Sequence, residues 1–159
     1  MNNLRIAGEP LEGRSGHEAG RQLLQRMYRE TAGEPLPEIR ITQRGKPEFV
    51  DSVWHFSISH TPRHVFCALA TSPVGLDAEE MDRRIRPELA EKILSPTEMK
   101  RYTAAADKNA CLLRLWVLKE AAAKLTGEGL RGYPNGTDFD PDDPRIMELD
   151  GCYVAVMTE

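Results

Sequence analysis

The chain has 159 residues, 40% of them apolar, enough for one compact domain, or two small subdomains sharing a core, without support from metal or oligomerisation. Its formal net charge of −4 opposes a dedicated nucleic-acid binder, which carries a basic surplus against phosphate, but leaves room for a local basic pocket. Cys67, Cys111 and Cys152 are far apart in apolar runs and form no CxxC pair, so they read as reduced core residues. No apolar run approaches a membrane span and Met1–Arg5 lacks the build of a signal peptide, so a cytoplasmic protein is expected.

Leu4–Ala7 reads as a short strand, and Gly16–Thr31 as a helix ended by Gly33, with Gly20, Leu23, Leu24, Met27 and Tyr28 on one face. Glu34–Pro37 is a loop, Glu38–Gln43 alternates as a strand does, and Arg44-Gly45-Lys46-Pro47 is turn chemistry. Trp54, Phe56 and Ile58 alternate with His55, Ser57 and Ser59, which predicts a half-buried strand. His60–Arg63 turns the chain into a second apolar strand, Val65–Ala70, and Val74–Glu79 follows the break at Ser72-Pro73. Pro87–Leu94 reads as a helix. Ser95-Pro96-Thr97-Glu98 is a capping box with proline at the first helical position. A long helix is expected from Lys108 to Thr126, closed by Gly127. Arg145–Leu149 and Cys152–Met157 flank Asp150-Gly151 as a terminal hairpin. This order predicts an α+β fold of two related halves, 1–72 and 73–159, in one compact unit.

Chemistry concentrates in the second half. On the long helix, Cys111, Leu115, Leu118, Ala122 and Leu125 form an apolar stripe, and Trp116, Glu120 and Lys124 lie opposite it at helical spacing. Bulky apolar groups mixed with one acid and one base suit a cleft wall. A solvated i,i+4 ion pair is the competing reading, and would contribute roughly 0.2–0.5 kcal/mol to the helix. In Gly75-Leu76-Asp77-Ala78-Glu79, residues two apart on a strand put the Asp77 and Glu79 carboxylates on one side. Such a pair calls for a cation, and magnesium is a hard ion that takes one or two carboxylates and completes its shell with water and phosphate oxygens. A solvent-facing strand end is the alternative. Glu80 is expected to point the other way, into solvent. His60 ends a strand at a hairpin corner and Lys46 sits on a tight turn; each alone reads as structural or solvated.

Taken together, Gly45-Lys46-Pro47, Phe56-Ser57-Ile58-Ser59-His60, Gly75-Leu76-Asp77-Ala78-Glu79 and Trp116-Val117-Leu118-Lys119-Glu120-Ala121-Ala122-Ala123-Lys124 resemble the 4′-phosphopantetheinyl transferase family. The last motif runs on through Leu125-Thr126-Gly127-Glu128-Gly129-Leu130, like the Gly-x-Gly-Leu ending of that family. The match is most similar to the single-chain, surfactin-synthetase-activating type. It implies two similar halves, each a small antiparallel sheet packed on a long helix, working as a monomer.

The resemblance implies transfer of 4′-phosphopantetheine from coenzyme A to a serine of an apo carrier protein, with release of 3′,5′-ADP. Asp77, Glu79 and Glu120 would hold magnesium, with Glu120 also the candidate to take the serine proton. Lys124 would contact the phosphate under attack, Lys119 would add positive charge near the phosphates, and Lys46 and His60 would bind the adenosine end. Glu98 matches a family glutamate near the site and competes for a role as helix cap. One departure stands out. The family's first-helix arginine, four residues before a glycine, aligns with Gly16 if Gly20 is that glycine, leaving Arg14 or His17 as substitutes. Rival readings are a non-catalytic coenzyme A or carrier-binding protein and a magnesium-dependent nuclease, the latter opposed by the helical Glu120–Lys124 spacing and the acidic balance.

Overall fold

Caps and turns set the element boundaries along residues 3–127 and 137–159, which the computed structural model describes. β1 (Leu4–Pro10) leads to α1 (Gly16–Ala32), which starts where the Ser15 side chain accepts the Glu18 N–H and stops at Gly33. β2 (Ile39–Ile41) and β3 (Pro47–Phe49) form a small ribbon around the Arg44–Lys46 turn. β4 (His55–His60), β5 (His64–Ala70) and β6 (Val74–Glu80) follow. α2 (Glu88–Ile93) precedes α3 (Pro96–Ala104), and Ser95 and Glu98 form the expected capping box at the start of α3. α4 (Lys108–Thr126) begins where Asp107 accepts the Ala110 N–H and ends at Gly127. β7 (Ile146–Leu149) and β8 (Cys152–Thr158) are joined by Asp150 and Gly151, both at positive φ (51° and 76°), the two-residue turn that matches strand twist. Glu128, Gly129 and Leu130, the end of the last motif, lie outside the described residues.

Two three-stranded antiparallel sheets result, ordered β1-β5-β4 and β6-β8-β7. In each, the first strand of the sheet in sequence lies beside the last, and the middle one is outermost. The layers are helix, sheet, sheet, helix. Val65, Cys67 and Leu69 on one face of β5 pack against Leu23, Leu24, Met27 and Tyr28 of α1. Phe66, Ala68 and Ala70 on the other face meet Val74, Leu76 and Ala78 of β6 and Val154 and Val156 of β8. Tyr153, Ala155 and Met157, on the far face of β8, pack on α4.

Two expectations change here, for one reason. β4 is not half-buried: Ser57 and Ser59 are 8% and 5% exposed, because their face abuts the second sheet. Leu76 N–H donates to Ser57 Oγ at 3.0 Å and Ala78 N–H to Ser59 Oγ at 3.1 Å, so the hydroxyls close the unpaired edge of β6. Glu80, expected in solvent, is 4% exposed because the even-numbered face of β6 is the inter-sheet face. It accepts from Thr61 Oγ1 (2.8 Å) and Arg63 Nε (3.3 Å), and lies 3.0 Å from His64 Nδ1. Burial alone would raise its pKa, but hydrogen bonds from His64, Thr61, Cys152 and Arg63 outweigh that and hold it near 2.

The odd-numbered face of β6 meets α4 with no clearance. A Cβ on Gly75 would fall 2.1 Å from Ala121 O and 2.4 Å from Leu125 N, both backbone atoms that cannot swing aside. Gly75→Ala is therefore expected to cost about 3 kcal/mol or more, by forcing the helix off the strand that carries Asp77. Thermal denaturation checks this; an unchanged Tm would show that the helix and strand can separate freely.

Candidate active site

A cavity of about 410 Å³ opens between the start of α1, the β2–β3 turn, β4 and the C-terminal half of α4. Its apolar floor is Phe56 and Ile58. Its rim carries His17 and Arg21 from α1, Arg44 and Lys46 from the turn, His60 from the end of β4, and Lys124 from α4; Glu120 is the carboxylate among its lining residues. A protein of net charge −4 thus brings Arg21, Arg44, Lys46 and Lys124 to one cavity, the local basic pocket that composition had left open. Lys46 reaches it by donating from Nζ to Leu125 O (2.8 Å) at the C-terminal end of α4, where backbone carbonyls favour a cation. Burial lowers the Lys46 pKa, partly offset by Glu48 and Glu159. Arg21 lies over the Phe56 ring, 6.0 Å from its centroid.

Beside Lys124 the charge changes sign. Asp77 is 6% exposed; its Oδ1 accepts from Ser59 Oγ and Lys124 Nζ, both at 3.1 Å. Its Oδ2 is buried with no hydrogen-bond partner among the described residues. Burial raises the Asp77 pKa to about 6 despite the pull of Lys124 and the Ser59 hydrogen bond, and the Glu79 charge adds to the rise. Glu120 is also raised, by burial first and then by the Asp77 charge. Glu79 accepts from Arg83 (2.6 Å) and from Trp116 Nε1 (3.3 Å). Asp77, Glu79 and Glu120 are thus electrostatically coupled, with Lys124 and Arg83 standing beside them. Among the described residues, the three-ligand group with its donor atoms within 4.8 Å is a different one, His64, Glu80 and Cys152.

Lys119 is the sequence assignment that this geometry does not support. It is fully buried and turned away from the cavity, its Nζ 2.7 Å from Glu98 Oε1 and 5.6 Å from the Phe139 ring centroid. Its position beside Glu120 in sequence places it about 100° around the helix, on the face toward α3. Glu98 resolves in favour of structure: it caps Ser95 N–H, accepts Phe139 N–H (2.8 Å) and neutralises Lys119. Arg14 also lies off the cavity lining, committed to Glu9, Gln22 and two backbone carbonyls. Arg21 and Arg44 were missed. The signal for Arg21 was its i,i+4 spacing from His17, flanking the Gly16 and Gly20 positions where strand and helix meet.

Residues 73–151 match the sequence model of the 4′-phosphopantetheinyl transferase superfamily. The 4′-phosphopantetheinyl transferase gsp of Aneurinibacillus migulanus is 34% identical over 93 residues, covering 57% of this chain and 38% of that protein. The 4′-phosphopantetheinyl transferase Sfp of Bacillus subtilis (strain 168) is 35% identical over 86 residues, covering 53% and 37%. The 4′-phosphopantetheinyl transferase psf-1 of Bacillus pumilus is 32% identical over 127 residues, covering 79% and 50%. The aligned stretches span no more than half the length of these curated relatives.

The buried Lys119–Glu98 pair makes a prediction about stability alone. Lys119→Met or Glu98→Gln should each destabilise by about 3–5 kcal/mol, since each leaves part of a buried pair uncompensated. The double variant should recover most of the loss. Chemical denaturation of all four proteins measures the coupling; additive losses would mean that the two charges are independent.

Proposed function

Since this chain belongs to the 4′-phosphopantetheinyl transferase superfamily, we propose that it moves 4′-phosphopantetheine from coenzyme A to a serine of an apo carrier protein, releasing 3′,5′-ADP in a magnesium-dependent reaction. One observation carries the reading: a cavity rimmed by six basic side chains, Lys124 among them, meets at Lys124 an acidic cluster headed by an incompletely satisfied buried aspartate. A polyphosphate thioester carrier such as coenzyme A has the complementary charge. We also take the enzyme to work as a monomer, since residues of both proposed halves rim the cavity, and to be cytoplasmic, without nucleic-acid or membrane partners. The halves, 1–72 and 73–159, are supported as a repeat by the common first-last-middle order of their sheets.

The residues fit a hard divalent cation. Asp77 Oδ2 is an orphaned buried oxygen, and burial plus mutual repulsion raise Asp77 and Glu120, so a cation would relieve both. Asp77, Glu79 and Glu120 are the residues to hold it, with Arg83 leaving Glu79. Bound magnesium supplies neutralisation of the diphosphate oxygens and a fixed position for them. Lys124, now 3.1 Å from Asp77, serves the phosphate under attack, where charge grows as 3′,5′-ADP departs. Glu120, among the lining residues of the cavity and one turn of α4 from Lys124, is the group to take the proton as the carrier serine attacks the β-phosphorus.

At the adenosine end the departure from the family pattern has a physical counterpart. The His60 ring lies over Gly16: a Cβ there would be 2.2 Å from His60 Cγ, so no arginine fits at that position while His60 stands where it does. His17, Arg21 and Arg44 supply the positive charge from neighbouring positions, beside His60 and Lys46.

Three measurements test the reading. Glu120→Ala and Asp77→Ala should lose nearly all transfer at saturating magnesium while remaining folded; substantial turnover by either contradicts its role. Lys124→Ala should lower kcat much more than it raises the KM for coenzyme A, the signature of a transition-state contact, and the reverse pattern would make it a ground-state binder. His60→Ala should weaken use of coenzyme A about ten- to a hundred-fold, one charge-assisted hydrogen bond. It should matter little with dephospho-coenzyme A; equal losses with both donors would mean that His60 supports the fold instead of the 3′-phosphate.

A further inference from the structure

The inter-sheet face holds a second group of chemically competent side chains that the transfer reaction does not use. His64 opens β5, Glu80 closes β6 and Cys152 opens β8; Glu80 and Cys152 are register partners across the second sheet, while His64 belongs to the first. His64 Nδ1 lies 3.0 Å from Glu80 Oε1, Cys152 Sγ 3.2 Å from Glu80 Oε2, and Cys152 Sγ 3.8 Å from His64 Nδ1. Tetrahedral zinc, bound at about 2.0–2.3 Å by nitrogen, oxygen and sulfur, separates its ligand atoms by about 3.3–3.6 Å. The His64 and Cys152 contacts fall on different Glu80 oxygens, but with one ligand atom from each residue the three atoms lie within 4.8 Å of one another, and the 3.8 Å between Sγ and Nδ1 is close to that range.

The surroundings fit as well as the spacing. A thiol is a weak partner for a carboxylate, whereas thiolate, imidazole and carboxylate together are a borderline-soft donor set. Thr61 Oγ1 donates to Glu80 Oε1 at 2.8 Å and orients the carboxylate from behind, as outer partners of metal ligands do. Charge balances. The Cys152 proton leaves to solvent, the thiolate and the Glu80 carboxylate offset a divalent ion, and Arg63 remains neutralised by Asp82 at 2.8 and 2.9 Å. The His64 side chain is 19% exposed, which leaves the site an entry path from solvent.

We propose that His64, Glu80 and Cys152 bind one zinc-class divalent cation, separate from the magnesium position, that ties the two sheets together. The site is independent of the transfer reading and survives its failure. Metal-free protein held in excess magnesium should take up one equivalent of Co2+ with a thiolate-to-cobalt charge-transfer band, and Zn2+ should displace the cobalt and raise the Tm. The band identifies a cysteine ligand, which Asp77, Glu79 and Glu120 cannot provide. Cys152→Ser should abolish it, Cys111→Ser should keep it, and His64→Ala should weaken cobalt binding at least about tenfold. Absence of the band from the wild-type chain, or its persistence in Cys152→Ser, overturns the proposal. The wild-type spectrum decides on its own if a variant folds poorly.

Discussion

β6 pairs with β8 on one side only, and its open edge is closed by two serine hydroxyls of β4, which accept the Leu76 and Ala78 N–H groups at 3.0 and 3.1 Å. Side chains here do what a fourth strand would do in a continuous sheet. Leaving either donor unsatisfied in this buried seam would cost about 1–3 kcal/mol. The seam also sets the register between the sheets. Ser59 Oγ, holding Ala78 N–H, donates to Asp77 Oδ1 in the same contact, so the joint that aligns the sheets also aims the first acid of the proposed metal site. Gly75, two residues before Asp77, lets α4 approach until Lys124 reaches the same carboxylate.

From this joint the charge distribution follows. α4 crosses behind β6 and carries its polar residues to different environments. Lys119 goes inward to Glu98, where it locks α3 and the segment at Phe139 against the core. Glu120 and Lys124 go to the cavity, where burial and the Asp77 charge lift Glu120. The basic rim comes from separate elements (α1, the β2–β3 turn and the end of β4), each delivering one or two cations to one volume. A collection of like charges this close is sustained by neighbouring carbonyls, as Lys46 shows at Leu125, and by the acids across the cavity.

The local elements were legible because their signals are local. α4 runs from Lys108 to Thr126 as expected, since Asp107 and Gly127 are caps visible in sequence, and the Ser95–Glu98 box and the Asp150-Gly151 turn likewise carry their own geometry. The motif residues Asp77, Glu120, Lys124, Lys46 and His60 were legible as an ordered set, and the structure brings them to one region. What was not legible depends on contacts between the sheets. Glu80 and the two serines look like solvent-facing positions of alternating strands until a second sheet covers them. Lys119 looks like one more cation of an active-site helix until its angle around α4 is set by packing on α3. Arg21 and Arg44 sit outside the motifs and reach the cavity through tertiary placement alone.

The central claim is that this arrangement transfers a phosphopantetheinyl group, and intact mass reads that event directly. An apo carrier protein incubated with this chain, coenzyme A and magnesium should gain the mass of one phosphopantetheinyl group on its acceptor serine. It should gain nothing when magnesium is chelated or when the carrier serine is replaced by alanine. A panel of apo acyl and peptidyl carriers that all remain at their starting mass, with coenzyme A bound but unconsumed, would contradict the account and leave a binding protein in place of an enzyme.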